Sequence, residues 1–247
     1  MMETLPSELI IKIFDYLDHE GLMKVYQIDT YRELIKNNVW KNITIKLIKK
    51  KRIQKFIDSG WINCFVKYDL SRSEIDNDLL KYFSHCDYLN LFECTKLTDK
   101  CTEYLKNCYE VNLNECHQIT DIGAENLSNC PIVKLGLTRI TRNCIKYLSN
   151  CKSLDITECN IIDEDLKLLE NVKSLDISYC KNITLRGIQY LKNIQVLNLE
   201  MCTNLIHEIR NIDNTEYYDY FEKYSPHIKF MRSIPVSKLE PWERDEF

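Results

Sequence analysis

The sequence predicts an α/β solenoid: a curved parallel sheet backed by outer helices, preceded by a small all-helical unit. Three observations predict it. A segment of 21 or 22 residues recurs through the middle of the chain. Each copy pairs a short apolar–polar alternation with an apolar stretch at helical spacing. Residues 1–43 lie outside the repeat and show helical periodicity alone.

The copies are residues 87–108, 109–130, 131–151, 152–172 and 173–194, and a sixth begins at Gln195 and then drifts. Strand columns run Leu89, Val111, Val133, Leu154, Leu175, Leu197 and Leu91, Leu113, Leu135, Ile156, Ile177, Leu199. Leucines at 105, 127, 148, 169 and 191 form a helix column. Residues 65–86 are a degenerate copy with one turn a residue shorter, and Ile43 and Ile45 are placed to begin an earlier one. The alternation puts apolar side chains on one strand face. Thr98, Thr120, Thr141 and Thr184 are helix N-cap types. Asp99, Asp121 and Asp163 then sit where a helix dipole favours negative charge. One unit of this size cannot bury its own face, so copies must stack.

The segment NLNECHQITDIGAENLSNC resembles the cysteine-containing class of leucine-rich repeats, over residues 65–212 or so. The resemblance implies a leucine-rich-repeat solenoid. Thr138 departs from it at the strand-end cysteine, and Val172 and Ile194 depart at the helix end.

The chain has 12 cysteines, and the repeat absorbs eleven of them, all but Cys64. They fall at strand ends, at helix ends, and (Cys101, Cys144) in a column shared with Gly123 and Gly187 that needs a small residue. This reads as small buried side chains. No C-x₂₋₄-C pair occurs, and the adjacent Cys116 and His117 do not have ligand spacing, so no metal is expected. The N-terminus lacks a basic stretch followed by an uninterrupted apolar one, so no secretory signal is expected, and free thiols in a reducing compartment are expected with it.

Before the repeat, Pro6 and Glu8 suit a helix start, and Leu9, Ile10, Ile13, Phe14 and Leu17 share a helical face. A break is expected at Asp18–Gly21, then helices over Leu22–Ile28 and Tyr31–Ile35. The opening LPSELIIKIFDYL resembles the F-box, and Val39-Trp40-Lys41 resembles its Leu-Trp ending. Gly21 stands where that family often has an acid, and its central stretch is represented only by Ile28, Asp29, Tyr31 and Arg32, one residue short. The resemblance implies docking on a Skp-family adaptor, and through it on cullin and RING subunits, with Leu5, Pro6, Leu9, Ile13, Leu17 and Leu22 at or near the interface. It implies a non-catalytic substrate-recognition subunit of an SCF-type ubiquitin ligase, intracellular in cytoplasm or nucleus, in a host cell if viral. Two other readings stay open: a protein-binding scaffold whose N-terminal helices only cap the solenoid, and a decoy that delivers no target.

Composition narrows the classes. Hydrophobic residues make up 45% and charged residues 28% of the 247, which excludes a disordered chain and supplies a core. No apolar run reaches the ~18 residues of a membrane span. Residues 1–62 carry 11 basic and 8 acidic side chains, and the remainder carries 22 and 29. That acidic body argues against nucleic acid as a partner. No phosphate loop, G-x-S-x-G or H-E-x-x-H occurs, so neither catalysis nor a cofactor is expected. The basic run Lys46–Lys55 has two readings, a nuclear-localisation or nucleic-acid patch and the first outer helix with a basic face; Ile48, Ile53, Phe56 and Ile57, in and just after it at helical intervals, favour the second. From residue 213 the repeat fades. A helix over Glu216–Tyr224, a last strand at Ile228 and Phe230 and a tail from Pro235 are expected.

The candidate site is the concave face. Its acids are Asp69, Glu93, Glu115, Asp155, Glu158, Asp176 and Glu200, against Lys134, and Phe92, Leu137, Tyr179 and Met201 add apolar anchors. A basic target segment with an apolar or aromatic anchor fits this chemistry.

Overall fold

The computed structural model describes residues 10, 19–211 and 229–230. Among these residues nine strands form one sheet in strict chain order: β1 (Thr44–Lys46), β2 (Lys67–Asp69), β3 (Tyr88–Asn90), β4 (Glu110–Asn112), β5 (Ile132–Lys134), β6 (Ser153–Asp155), β7 (Ser174–Asp176), β8 (Val196–Asn198) and β9 (Lys229–Phe230). Every neighbouring pair is parallel, and equivalent repeat positions face each other, as in Leu89↔Val111 and Val133↔Leu154. The fold is a leucine-rich-repeat solenoid with helical turns on its outer side.

Strand β1 is the earlier copy begun around Ile43, and β9 is the expected last strand. The expected helix over Glu216–Tyr224 and the tail from Pro235 lie outside the described residues. The outer layer is shorter than an amphipathic helix per repeat. Asp99–Tyr104 is wholly 3-10, and Asp121–Asn126 and Asp163–Leu166 are α-helices of only 6 and 4 residues. A repeat of this length, less its strand and two turns, leaves room for little more than one helical turn.

Each strand from β2 to β8 buries its middle residue and half-buries its flanks, whereas β1 leaves both flanks exposed. The Leu/Ile/Val columns meet the helix-column leucines in one continuous core, with Leu89, Leu91, Leu105, Val111, Leu113 and Leu127 fully buried.

The first-turn acids have a job the helix dipole does not describe. Asp99 Oδ1 accepts the Thr120 and Gly123 backbone N–H groups at 2.7 and 3.1 Å, and its Oδ2 accepts the Thr120 hydroxyl at 2.6 Å. Asp121 clasps Thr141, and Asp163 clasps Thr184, in the same way. Each acid thus fastens the start of the next repeat's helix. At the two glycines this clasp leaves no room for a side chain: a Cβ on Gly123 would sit 2.5 Å from Asp99 Oδ1, and one on Gly187 2.3 Å from Asp163 Oδ1. Where Arg142 replaces the acid, the clasp is rebuilt. Arg142 Nη2 donates to Asp165 Oδ1 at 3.0 Å, and Asp165 Oδ2 accepts the Ile162 N–H at 2.9 Å.

All twelve cysteines are free and buried. Strand-end thiols donate back to the previous repeat, Cys94 to Leu70 O at 3.1 Å, Cys116 to Leu91 O at 3.2 Å and Cys202 to Ile177 O at 3.1 Å. At the helix ends Cys130 donates to Leu105 O at 3.3 Å. Burial pushes Cys130 and Cys202 up to about 11, and Cys108, Cys116, Cys151 and Cys159 up to about 12.

At the N-terminal end, helix His19–Tyr26 runs through Gly21, so the expected break does not fall at that glycine. A second helix, Asp29–Leu34, passes into a π-helical turn, Ile35–Val39, and a 3-10 turn, Trp40–Asn42. Trp40 is 1% exposed. Its ring lies 4.6 Å from Tyr26 and 5.0 Å from Phe65, and Phe56, Tyr68 and Phe83 extend the aromatic chain into the solenoid. The Tyr26 hydroxyl accepts the Cys64 thiol at 3.0 Å. The described part of the N-terminal unit is thus packed onto the solenoid rather than separate from it.

Two outcomes follow. Trp40→Ala should cost about 3–5 kcal/mol in denaturant unfolding, the range for emptying a large aromatic site. The eleven repeat cysteines should resist iodoacetamide near pH 8 and react once denaturant is added. Their raised folded values make the buried neutral thiol the favoured form, so their stabilising contribution is complete below the ~8.5 of an unfolded cysteine and is lost as pH climbs toward 11–12. A melting midpoint that rises across that interval would contradict this.

Candidate functional site

Three rows of side chains stand on the open face and its rim, and backbone chemistry sets how each is presented. The row at the last strand position turns onto its own chain. Asp69, Asn90, Asn112, Asp155, Asp176 and Asn198 each accept, through Oδ1, the N–H two residues on, at 3.0–3.2 Å. These Asx turns end the strands.

The amide and carboxylate tips also join across repeats. Asn90 donates to Asp69 at 3.2 Å and Asn198 to Asp176 at 2.9 Å. Lys134 breaks the row, and Asn114 compensates: its Oδ1 accepts the Gly136 N–H at 2.8 Å while its Nδ2 donates to Asp155 Oδ2 at 2.7 Å, one strand further on. The bridge passes over Gly136, where a Cβ would lie 2.9 Å from Thr157 Cβ and 3.0 Å from Asp155 Oδ1. The Thr157 and Ser178 hydroxyls complete the network with Asp155 and Asp176.

The next row is the rim. Arg72, Glu93, Glu115, Leu137, Glu158, Tyr179 and Met201 all have φ between 55 and 64°. None is glycine or asparagine, although this left-handed region costs an ordinary residue roughly 1–2 kcal/mol. The conformation keeps the parallel ladder going past the strand. Glu93 N–H bonds Asn114 O at 2.9 Å, Leu137 N–H bonds Thr157 O at 3.0 Å and Tyr179 N–H bonds Glu200 O at 2.7 Å.

Charge divides this surface in two. Toward the N-terminal end Asp69, Glu93 and Glu110 are paired, Lys46–Asp69 at 3.0 Å, Arg72–Glu93 at 2.7 Å and Lys134–Glu110 at 3.7 Å, while Glu115 has no cationic partner among the described residues. Partial burial raises the Asp69 carboxyl, but hydrogen bonds from Ser71 and Lys46 outweigh it and hold it below the usual carboxylate range. Arg72 also lies over the Phe92 ring at 5.3 Å. Over β6–β8, Asp155, Glu158, Asp176 and Glu200 have no cationic partner among the described residues. Leu137 and Tyr179 beside them are 39% and 45% exposed, large values for such residues.

The candidate residues named from sequence therefore occupy three settings. Glu93 and Phe92 are engaged by Arg72, and Asp155 and Asp176 anchor the polar network. Glu115, Leu137, Glu158, Tyr179 and Met201 stand on the rim, with Glu200 exposed next to Met201. Leu22 lies in helix His19–Tyr26, and Leu5, Pro6, Leu9, Ile13 and Leu17 lie outside the described residues. Column reading missed Arg72, because the shorter turn of the 65–86 copy obscured it. The alignment of Tyr68 and Leu70 with Leu89 and Leu91 was the signal that places it.

Among the described residues, no three or more His, Cys, Asp or Glu side chains are arranged to hold a metal. The adjacent pair points apart, with the Cys116 thiol on Leu91 O and His117 Nδ1 at 2.9 Å from Leu137 O. No described helix is long and apolar enough to cross a membrane.

A family model described as Leucine Rich repeat matches residues 169–192, which span β7 and the helical turn after it. No curated protein matches the chain significantly. Among solved structures, internalin C2 from Listeria monocytogenes is 20% identical, with 55% of this chain and 61% of that chain covered and a TM-score of 0.45. TLR13, in a complex with ssRNA13, is 17% identical, with 70% and 27% covered and a TM-score of 0.47. The internalin inlF from Listeria monocytogenes is 17% identical, with 73% and 48% covered and a TM-score of 0.43. This chain spans less than two thirds of each of these proteins. Residues 169–192 match a leucine-rich repeat, and the same strand and turn recur in register on either side of them.

Proposed function

We propose that this chain is the substrate-recognition subunit of a Skp adaptor–cullin–RING ubiquitin ligase. The observation that carries target capture is the unpaired acidic stretch over β6–β8 beside the exposed Leu137 and Tyr179. Opposed charge speeds encounter and filters partners, while desolvated apolar anchors hold the complex. The target is a basic segment with an apolar or aromatic anchor. Adaptor docking rests on the F-box-like LPSELIIKIFDYL, with Leu5, Pro6, Leu9, Ile13, Leu17 and Leu22 as its contacts. The chain itself transfers nothing. It raises the effective concentration of target lysines near a ubiquitin-charged enzyme held by the partner subunits.

The adaptor arm is tested by pull-down of purified Skp-family adaptors with the intact chain and with a Pro6→Ala/Leu9→Asp variant, both checked by circular dichroism. Binding should be lost in the variant alone. A folded intact chain that binds no adaptor would leave the solenoid as a scaffold with a helical cap.

The capture arm needs substitutions that spare the polar network, so Asp155 and Asp176 are left in place. Glu158→Lys/Glu200→Lys should weaken binding of a labelled Lys/Arg-rich peptide carrying one Trp by roughly fivefold or more at low salt. Unchanged affinity would remove the acids from recognition.

A further inference from the structure

The structure carries a second charged surface that target capture does not use. We propose that the outer face of helix Lys50–Asp58 docks an acidic protein segment.

Ile53 of this helix is fully buried, and Phe56 and Ile57 are packed beside it, which fixes the helix on the solenoid and turns Lys51, Arg52 and Lys55 outward. The cations split into two groups. Lys50 on the flank bonds Asp76 at 2.7 Å, and nearby Lys46 bonds Asp69 at 3.0 Å. Lys49, Lys51, Arg52 and Lys55 are exposed and have no carboxylate partner among the described residues. Asp58, the helix's own acid, is held by Gln54 at 2.7 Å.

The placement runs against the helix. Its first turn holds Lys50, Lys51 and Arg52 and no acid, where the dipole disfavours positive charge. Three other helices open on an acid, at Asp29, Asp121 and Asp163; Leu185–Ile188 and Thr203–Asn211 open without one, but neither gathers three cations there. A local cost of this kind is what a binding surface shows when its charge serves a partner.

The shape favours a short polypeptide over nucleic acid. The helix is about 13 Å long, and charges act over roughly 8 Å at physiological ionic strength. An acidic segment can stay within that reach. A longer polyphosphate would run on along a body with 29 acidic against 22 basic side chains. Insertion into a lipid surface is disfavoured because the helix's apolar face is already in the core. The patch lies on the outer side of the solenoid, so it is available while the open face holds another protein.

The test is fluorescence anisotropy on the full chain with two probes of equal net charge, a labelled Glu/Asp-rich peptide and a labelled single-stranded DNA. Measurements are made at about 50 mM and about 500 mM salt, where screening differs severalfold. The peptide should bind at low salt, release at high salt, and bind more tightly than the DNA. Lys51→Glu/Arg52→Glu/Lys55→Glu should bind the peptide at least roughly tenfold more weakly. Its melting midpoint should be no lower than that of the unaltered chain, because acids now occupy the first turn. Lys51→Gln/Arg52→Gln/Lys55→Gln, checked by circular dichroism, gives the same reading if charge reversal disturbs folding. The proposal fails if the folded chain ignores the peptide, if either variant binds it as well, or if the DNA binds more tightly.

Discussion

No repeat in this chain can satisfy its own polar groups. The carboxylate that opens one helical turn is spent on the N–H and hydroxyl groups opening the next, as Asp99 does for Thr120 and Gly123. The strand-end thiol of one repeat donates to a carbonyl of the repeat before. The N–H that opens a strand bonds a carbonyl of the repeat before, as Tyr88 does with Val66 O at 3.1 Å, and the N–H just past it bonds the next repeat, as Leu91 does with Asn112 O at 2.8 Å. Stacking in exact register is thus the condition under which any copy is folded, and the core, the turns and the open face all depend on it.

The departures from the repeat show how tightly that condition binds. Repeat 131–151 loses its Asx residue to Lys134, its first-turn acid to Arg142 and its strand-end cysteine to Thr138. Each loss is answered nearby. Asn114 reaches across Gly136, Arg142 takes hold of Asp165, and the Thr138 hydroxyl donates to Leu135 O at 2.6 Å. No buried side-chain nitrogen or oxygen is left without a partner among the described residues.

The register, the strand columns and the burial of the cysteines were legible because one residue type repeated at a fixed interval reports one environment repeated in space. Three things were not. Helix length was overread, because apolar spacing over two turns looks the same in an α-helix and in a 3-10 turn such as Asp99–Tyr104. The role of Asp99, Asp121 and Asp163 was read within their own helix, whereas their acceptors serve a neighbour 20 or more residues away. Trp40 was read with the N-terminal unit, yet its ring is shared with Phe65 of the solenoid. Periodicity reports what a segment does to itself and is silent about which neighbour closes a hydrogen bond. For the candidate site, sequence supplied the excess of acids, and only the pairing geometry separated the neutralised end from the open one.

The rim of left-handed residues has a meaning for diversification. In most folds such a position accepts glycine or asparagine and little else. Here Arg, Glu, Leu, Tyr and Met all occupy it, and from Arg72 to Tyr179 the backbone shape is enforced from outside by a carbonyl of the next repeat. The side chain is correspondingly released from any duty to the turn. Seven consecutive repeats therefore carry one position each whose identity can drift widely while the architecture stays fixed. The rim works as a row of interchangeable letters mounted on a frame that does not read them.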